Sequence, residues 1–199
     1  MHEHRDRSAD LRLRGNTRPL SVRVYWPGHG QPTARRAPLL VFCIVGAGGD
    51  GAETTCRALS SDAGLVVLSV ICEAPDPPRD GITVLEWAAE HAAELEADPG
   101  RLLVAGEGTG ATVAAAVAVA AGERGWPVIS RQVLIDPAPA SWPAGTGAAV
   151  AGAAVAPATV VTVSGGSWAA DLGQTLRRSL GDSPSDESGR SATSFSRPR

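Results

Sequence analysis

The sequence predicts an α/β fold, a three-layer sandwich in which a mostly parallel sheet is covered by helices on both faces, and three observations carry that prediction. Runs of consecutive apolar residues such as Leu39-Leu40-Val41-Phe42-Cys43-Ile44-Val45 read as strands buried on both faces. Stretches of helical period lie between such runs. Glycine-rich turns, Gly46-Ala47-Gly48-Gly49-Asp50-Gly51 and Gly106-Glu107-Gly108-Thr109-Gly110, join strand ends to helix starts.

In chain order, residues 11–13 and 21–25 alternate apolar and polar around Gly15-Asn16 and predict an antiparallel pair. A polar loop follows, then a strand over 38–45, a helix over 53–61 and a second buried strand over 65–71. From 83 to 97, Val84, Leu85, Ala88, Ala92 and Leu95 recur at helical spacing, and Asp98-Pro99-Gly100 stops the helix. A strand over 101–105 leads through the second glycine turn into an uncharged helix over 111–121, which has to be buried nearly all round. Strands over 132–135 and 159–163 and a helix over 169–180 complete the alternation.

The chain divides into a flexible N-terminus (1–8), one domain (9–181) containing an Ala/Gly connection (143–158), and a tail (182–199). The tail holds six serines and one large apolar residue, Phe195, too little burial to offset its ordering entropy, so it is expected to be disordered. With no further strand after it, the strand over 159–163 is an open sheet edge, which a second subunit or the tail is expected to cover.

With 199 residues, 18 basic and 21 acidic side chains and a net charge of -3, the chain suits one domain and offers no electrostatic reason to bind nucleic acid. The first residues lack the apolar core of a secretory leader, so a cytoplasmic location is expected. Prolines 137, 139, 143 and 157 break the uncharged stretch between Asp136 and Asp171, and no membrane span is expected. Cys43, Cys56 and Cys72 show no ligand spacing and read as buried thiols; no metal or cofactor is expected.

The two glycine turns point to different chemistries. Gly46-x-Gly48-x-x-Gly51 follows a buried strand and opens a helix, and Glu73 ends the next strand, which matches the dinucleotide-binding fingerprint. Gly106-x-Gly108-x-x-Ala111 fits a looser form of the same pattern, and two hits in one chain weaken both.

A longer stretch separates the readings. Leu85-Glu86-Trp87-Ala88-Ala89-Glu90-His91, then Asp98-Pro99-Gly100-Arg101-Leu102-Leu103-Val104-Ala105-Gly106-Glu107-Gly108-Thr109-Gly110, then Gln132-Val133-Leu134-Ile135-Asp136-Pro137 resemble the hormone-sensitive-lipase-like, acetyl-esterase branch of the α/β-hydrolase superfamily. Val22-Arg23-Val24-Tyr25-Trp26-Pro27 and Cys56-Arg57-Ala58-Leu59-Ser60 are similar to its leading strand and first helix. The likeness spans about residues 10–136 and 158–180.

The resemblance implies an α/β-hydrolase-like sandwich whose cap and last strand are missing or reduced, and a degenerate site. The family's nucleophilic serine sits at the centre of G-x-S-x-G, where this chain has Gly108. The acid position falls near Gly166, with Asp171 a poor substitute along the next helix. None of His2, His4, His29 and His91 occupies the histidine position. Gly46, Ala47 and Gly48 stand where the oxyanion loop belongs, so the N–H groups of that loop and of Thr109 are expected to polarise a carbonyl oxygen without a nucleophile.

The reading is therefore a pseudo-esterase that binds a small carbonyl compound or a protein partner, with Gly46, Ala47, Gly48, Glu107, Gly108 and Thr109 at the site and no classical Ser-His-Asp hydrolysis expected. Glu107 is a candidate base if buried, and Cys43 or Cys72 a candidate alternative nucleophile. A dinucleotide-binding redox domain and an esterase using Ser164 or Ser167 are the alternatives, and a homo-oligomer is expected.

Overall fold

A computed structural model of the chain describes residues 7–28, 36–46, 50–137, 156–162, 168–181 and 191–194. The elements are β1 (Arg7–Arg14), β2 (Pro19–Trp26), β3 (Ala37–Val45), α1 (Asp50–Ser61), β4 (Val66–Cys72), α2 (Pro77–Glu90), β5 (Ala97–Glu107), α3 (Thr109–Arg124), β6 (Arg131–Ile135), β7 (Ala158–Thr162), α4 (Trp168–Gly181) and β8 (Ser191–Ser194). They form one sheet in the order β1-β2-β4-β3-β5-β6-β7-β8. β1 and β2 are an antiparallel pair, β2 runs antiparallel to β4, and the rest is parallel.

Alternation along the strands sorts the core into two layers. Val41 and Cys43, with Val66, Leu68 and Val70, face α2 and α3, whereas Leu40, Phe42 and Val67 face α1 and α4. The helix α3 is built mainly of Ala, Val and Gly, so its backbone lies close to the sheet. At Gly110 a Cβ would stand 2.3 Å from the Cys43 carbonyl oxygen.

Several boundaries differ from the sequence reading: β1 already starts at Arg7, inside the stretch 1–8 expected to be flexible, because its whole length pairs with β2, and three others have a local reason. α2 starts at Pro77 because Asp76 caps it, accepting the Arg79 N–H at 3.2 Å, and proline suits a first helical turn. It ends at Glu90, where His91 turns the chain. The buried Ala92 and Leu95 belong to the following turns, which explains why they carried a helical period; the Ala97 N–H closes on the Ala92 carbonyl at 2.8 Å. β5 then starts at Ala97 rather than 101 and meets β3 through a register shift at Pro38/Leu39.

The tail also departs from expectation. Ser191–Ser194 form β8, parallel to β7, where disorder was expected across 182–199. The edge of β7 is thus paired by the tail, one of the two coverings foreseen, because unpaired strand N–H and C=O groups are satisfied by any extended segment in reach. No helix of the described residues is long and apolar enough to cross a membrane.

Candidate functional site

The strand order reverses between β3 and β5: α1 leads from β3 to β4 on one side, and α2 leads back across to β5 on the other. In open parallel sheets the crevice at such a switch point, beyond the strand C-termini, is where ligands bind. Both glycine turns end there, Gly46 after β3 and Gly108 after β5.

Gly108 has φ 55° and ψ -117°, a conformation that side-chain-bearing residues adopt only under strain. It is an elbow: β5 stops, the chain reverses and α3 starts at the next residue. Its N–H is tied to the Ile135 carbonyl of β6 at 2.9 Å. The flanking glycines are demanded by close approach. A Cβ at Gly106 would fall 2.2 Å from the Gly110 oxygen, and one at Gly110 would strike β3. At Gly108, by contrast, a Cβ would meet nothing within 4 Å. The central residue therefore faces open space, and only its dihedral angles favour glycine.

The donors follow from this turn. Thr109 and Gly110 occupy the first turn of α3, where N–H groups have no partner within the helix, and no side chain caps them. The helix dipole adds partial positive charge at the same place. Gly46 carries φ 84° with open space around it, while Ala47 and Gly48 lie outside the described residues.

Glu107 ends β5 exposed to solvent and accepts a hydrogen bond from the Thr55 hydroxyl of α1 at 3.1 Å. The burial that its role as base required is absent. Asp136, on the adjacent strand end, is a residue to which the sequence reading gave no role at the site. It is exposed, has φ 40°, and its N–H is held by the Val161 carbonyl at 2.8 Å. An acid just past the strand beside the elbow was the signal for it. Glu107 and Asp136 end the adjacent strands β5 and β6, so two acidic residues lie at the edge of the elbow while the N–H donors favour oxygen, a combination that suits a neutral carbonyl better than an anion.

The other candidates separate from this place. Cys43 and Cys72 are fully buried beneath α2. Hydrogen bonding to Cys72, and then burial, holds the Cys43 thiol well above the ordinary range, and both sulfur atoms are closed off from solvent. His91 is the one histidine among the described residues. It stacks on Trp87 with centroids 4.4 Å apart at the far end of α2, and its Nδ1 lies 2.8 Å from the Trp87 carbonyl. Ser164, Gly166 and Ser167 lie outside the described residues. Asp171 stands in the first turn of α4.

The dinucleotide reading needs a third glycine where helix and strand pack closely, but a Cβ at Gly51 would touch nothing within 4 Å. Glu73, its ribose ligand, is paired with Arg18 at 3.2 Å. Among the described residues no cluster of three His, Cys, Asp or Glu side chains is placed to hold a metal ion.

A sequence model described as alpha/beta hydrolase fold matches residues 41–179, the stretch that builds this elbow. The chain belongs to that family. Within it, the hormone-sensitive-lipase-like branch is the one the chain resembles. Esterase LipI of Mycobacterium tuberculosis is 34% identical over 141 residues, 66% of this chain and 44% of the relative. Carboxylesterase NlhH from the same species is 35% identical over 129 residues, 59% of this chain and 39% of the relative. The chain thus spans less than half the length of these curated relatives. The crystal structure of EstE1, a thermophilic carboxylesterase from a metagenomic library, superposes with TM-score 0.65 at 23% identity, covering 98% of this chain and 80% of that one. That likeness speaks for the alpha/beta hydrolase fold.

Proposed function

We propose that this alpha/beta hydrolase is a pseudo-esterase: it binds a small neutral carbonyl compound at the elbow through the N–H groups of Thr109 and of the Gly46 to Gly48 loop, and does not hydrolyse it by a serine triad. One observation carries the reading. The residue at the centre of the elbow has the dihedral angles and the open surroundings of a nucleophile position and no side chain. Without an attacking group, the oxyanion cradle and binding leave only a small part of the rate enhancement. Polarisation of a held carbonyl then suits a self-contained cyclisation, isomerisation or elimination, or binding alone.

The names of the relatives favour a second reading, an esterase whose nucleophile is Ser164 or Ser167. Reaction with a fluorophosphonate probe and hydrolysis of 4-nitrophenyl acetate separate the two. The pseudo-esterase reading expects no covalent adduct by mass spectrometry and a rate no higher than that of an unrelated protein at equal concentration. A stoichiometric adduct on either serine, lost with activity in the alanine variant, refutes it.

A further inference from the structure

On the sheet face that carries α1, the helix buries Tyr25 of β2, while Asp10 and Arg12 of β1 and Ser21 of β2 are exposed among the described residues. A groove of about 380 Å³ runs there between the first turn of α1 and the ribbon of β1 and β2. Register aligns its lining in two rows. In the deeper one, Asp10 stands opposite Arg23 and Arg23 opposite Ser69. In the outer one, Arg12 stands opposite Ser21, Ser21 lies one step beyond the Val22 and Val70 pair beside Ile71, and Ile71 stands opposite Ile44. Four strands at a spacing near 4.8 Å make the outer row about 14 Å long.

The charges of the deeper row close on themselves. Arg23 Nε meets Asp10 Oδ1 at 2.6 Å, Arg23 Nη1 meets Glu53 Oε1 at 3.5 Å, and Arg57 Nη2 meets the same Glu53 oxygen at 2.8 Å. These guanidinium groups hold both carboxylates below their usual range. Arg12 stands outside that chain, exposed and with no carboxylate partner among the described residues. At the other end of the row, Ile71, Ile44 and Ala52 are half-buried and apolar. The groove is cationic at one end and apolar at the other.

We infer that this groove is a second binding site, for a small monocarboxylate with an apolar tail, its carboxylate on the Arg12 guanidinium and Ser21 hydroxyl and its tail along Ile71, Ile44 and Ala52. A guanidinium pairs a carboxylate through two parallel hydrogen bonds, and the tail removes the half-buried isoleucine surface from water. The groove adjoins the elbow without sharing its donors: its apolar end is Ile44 of β3, two residues before Gly46, and α1 borders it with Ala52 and Glu53, whereas Gly108 and Thr109 follow β5 on the far side of β3. The elbow, rimmed by Glu107 and Asp136, takes the opposite chemistry.

The full chain is titrated with hexanoate at low salt by calorimetry and by amide chemical shifts. Saturable binding with Kd of about 1 mM or tighter is expected, with shifts centred on Arg12, Ser21, Ile44 and Ile71. Acetate, which lacks the tail, and hexanol, which lacks the charge, each bind at least about tenfold more weakly, a loss near 1.4 kcal/mol. Arg12→Ala, at an exposed position, keeps the native melting temperature and weakens hexanoate by the same factor, whereas Gly108→Ala leaves it unchanged. Absence of saturable binding, or binding indifferent to Arg12→Ala, overturns the assignment. Loss in Gly108→Ala alone moves the carboxylate to the elbow and overturns it too.

Discussion

Substituting the three glycines of the elbow one at a time with alanine separates conformational strain from steric exclusion. At Gly108 the new Cβ finds nothing within 4 Å, so the whole cost is that of holding an L residue at φ 55° and ψ -117°. Such conformations cost about 1–3 kcal/mol. At Gly106 and Gly110 the Cβ is driven to 2.2 Å and 2.3 Å from backbone oxygens, distances that only a movement of α3 away from β5 and β3 relieves. Those variants are expected to lose upward of about 4 kcal/mol or to fail to fold. The assay is equilibrium unfolding in urea with the wild-type slope as control. A neutral Gly108→Ala, or a Gly106→Ala milder than it, refutes the elbow geometry. Gly108→Ser falls in the same 1–3 kcal/mol range, about as for alanine, and gains no turnover on 4-nitrophenyl acetate, because no described imidazole is within reach to activate its hydroxyl.

Other consequences are as direct. In the native chain, Cys43, Cys56 and Cys72 resist Ellman's reagent, whereas Gly108→Cys adds one fast-reacting thiol; labelling of wild type at the rate of unfolded chain contradicts their burial. Burial first, then Glu107 and Glu53, pushes Cys56 up to about 12 from 9.0. Its folded pKa being the higher, its contribution to stability is complete below about 9 and is lost as pH rises to about 12, which urea unfolding across that interval reads. Asp80→Asn is expected to cost about 2–3 kcal/mol, since the buried carboxylate holds Arg18 at 2.7 Å and the Glu73 N–H at 3.1 Å; a change within 0.5 kcal/mol counts against that network. Gly81→Ala crowds Val117 at 2.7 Å and Cys43 at 3.2 Å and is expected to destabilise by about 1–3 kcal/mol in the same assay.

The central strands were legible because β3, β4 and β5 are buried on both faces, and such strands leave uninterrupted apolar runs. The N-terminal pair was legible from alternation. What misled was packing that imitates another period. Ala92 and Leu95 are buried in turns yet continue the spacing of α2, so the helix seemed to reach 97. β8 has no sequence signature, since Ser191-Ala192-Thr193-Ser194 offers little apolar surface and its ladder is made by backbone groups alone. The turn at Gly108 was legible because glycines 106, 108 and 110 punctuate the junction of strand and helix. Asp136 was not, because its importance lies in the pairing of Glu107 with Ile135, a fact of register. The groove at Arg12 escaped for the same reason: the four positions of its outer row come from four strands and meet only in the folded sheet.

On the pseudo-esterase proposal, the physics of the elbow explains how the fold persists with glycine at its centre. The sharp reversal after β5 is held by backbone against backbone, the Gly106 position on Gly110, the Gly110 position on the Cys43 carbonyl, and the Gly108 N–H on Ile135. None of these contacts involves a side chain at the central position. A serine there contributes nothing to the packing and adds strain, which an esterase tolerates because the exposed hydroxyl does chemistry. Glycine relaxes the turn, while the N–H groups of Thr109 and Gly110 are kept whatever the central residue, because they belong to the helix terminus. If the proposal holds, stability and hydrolysis make opposite demands on this one position.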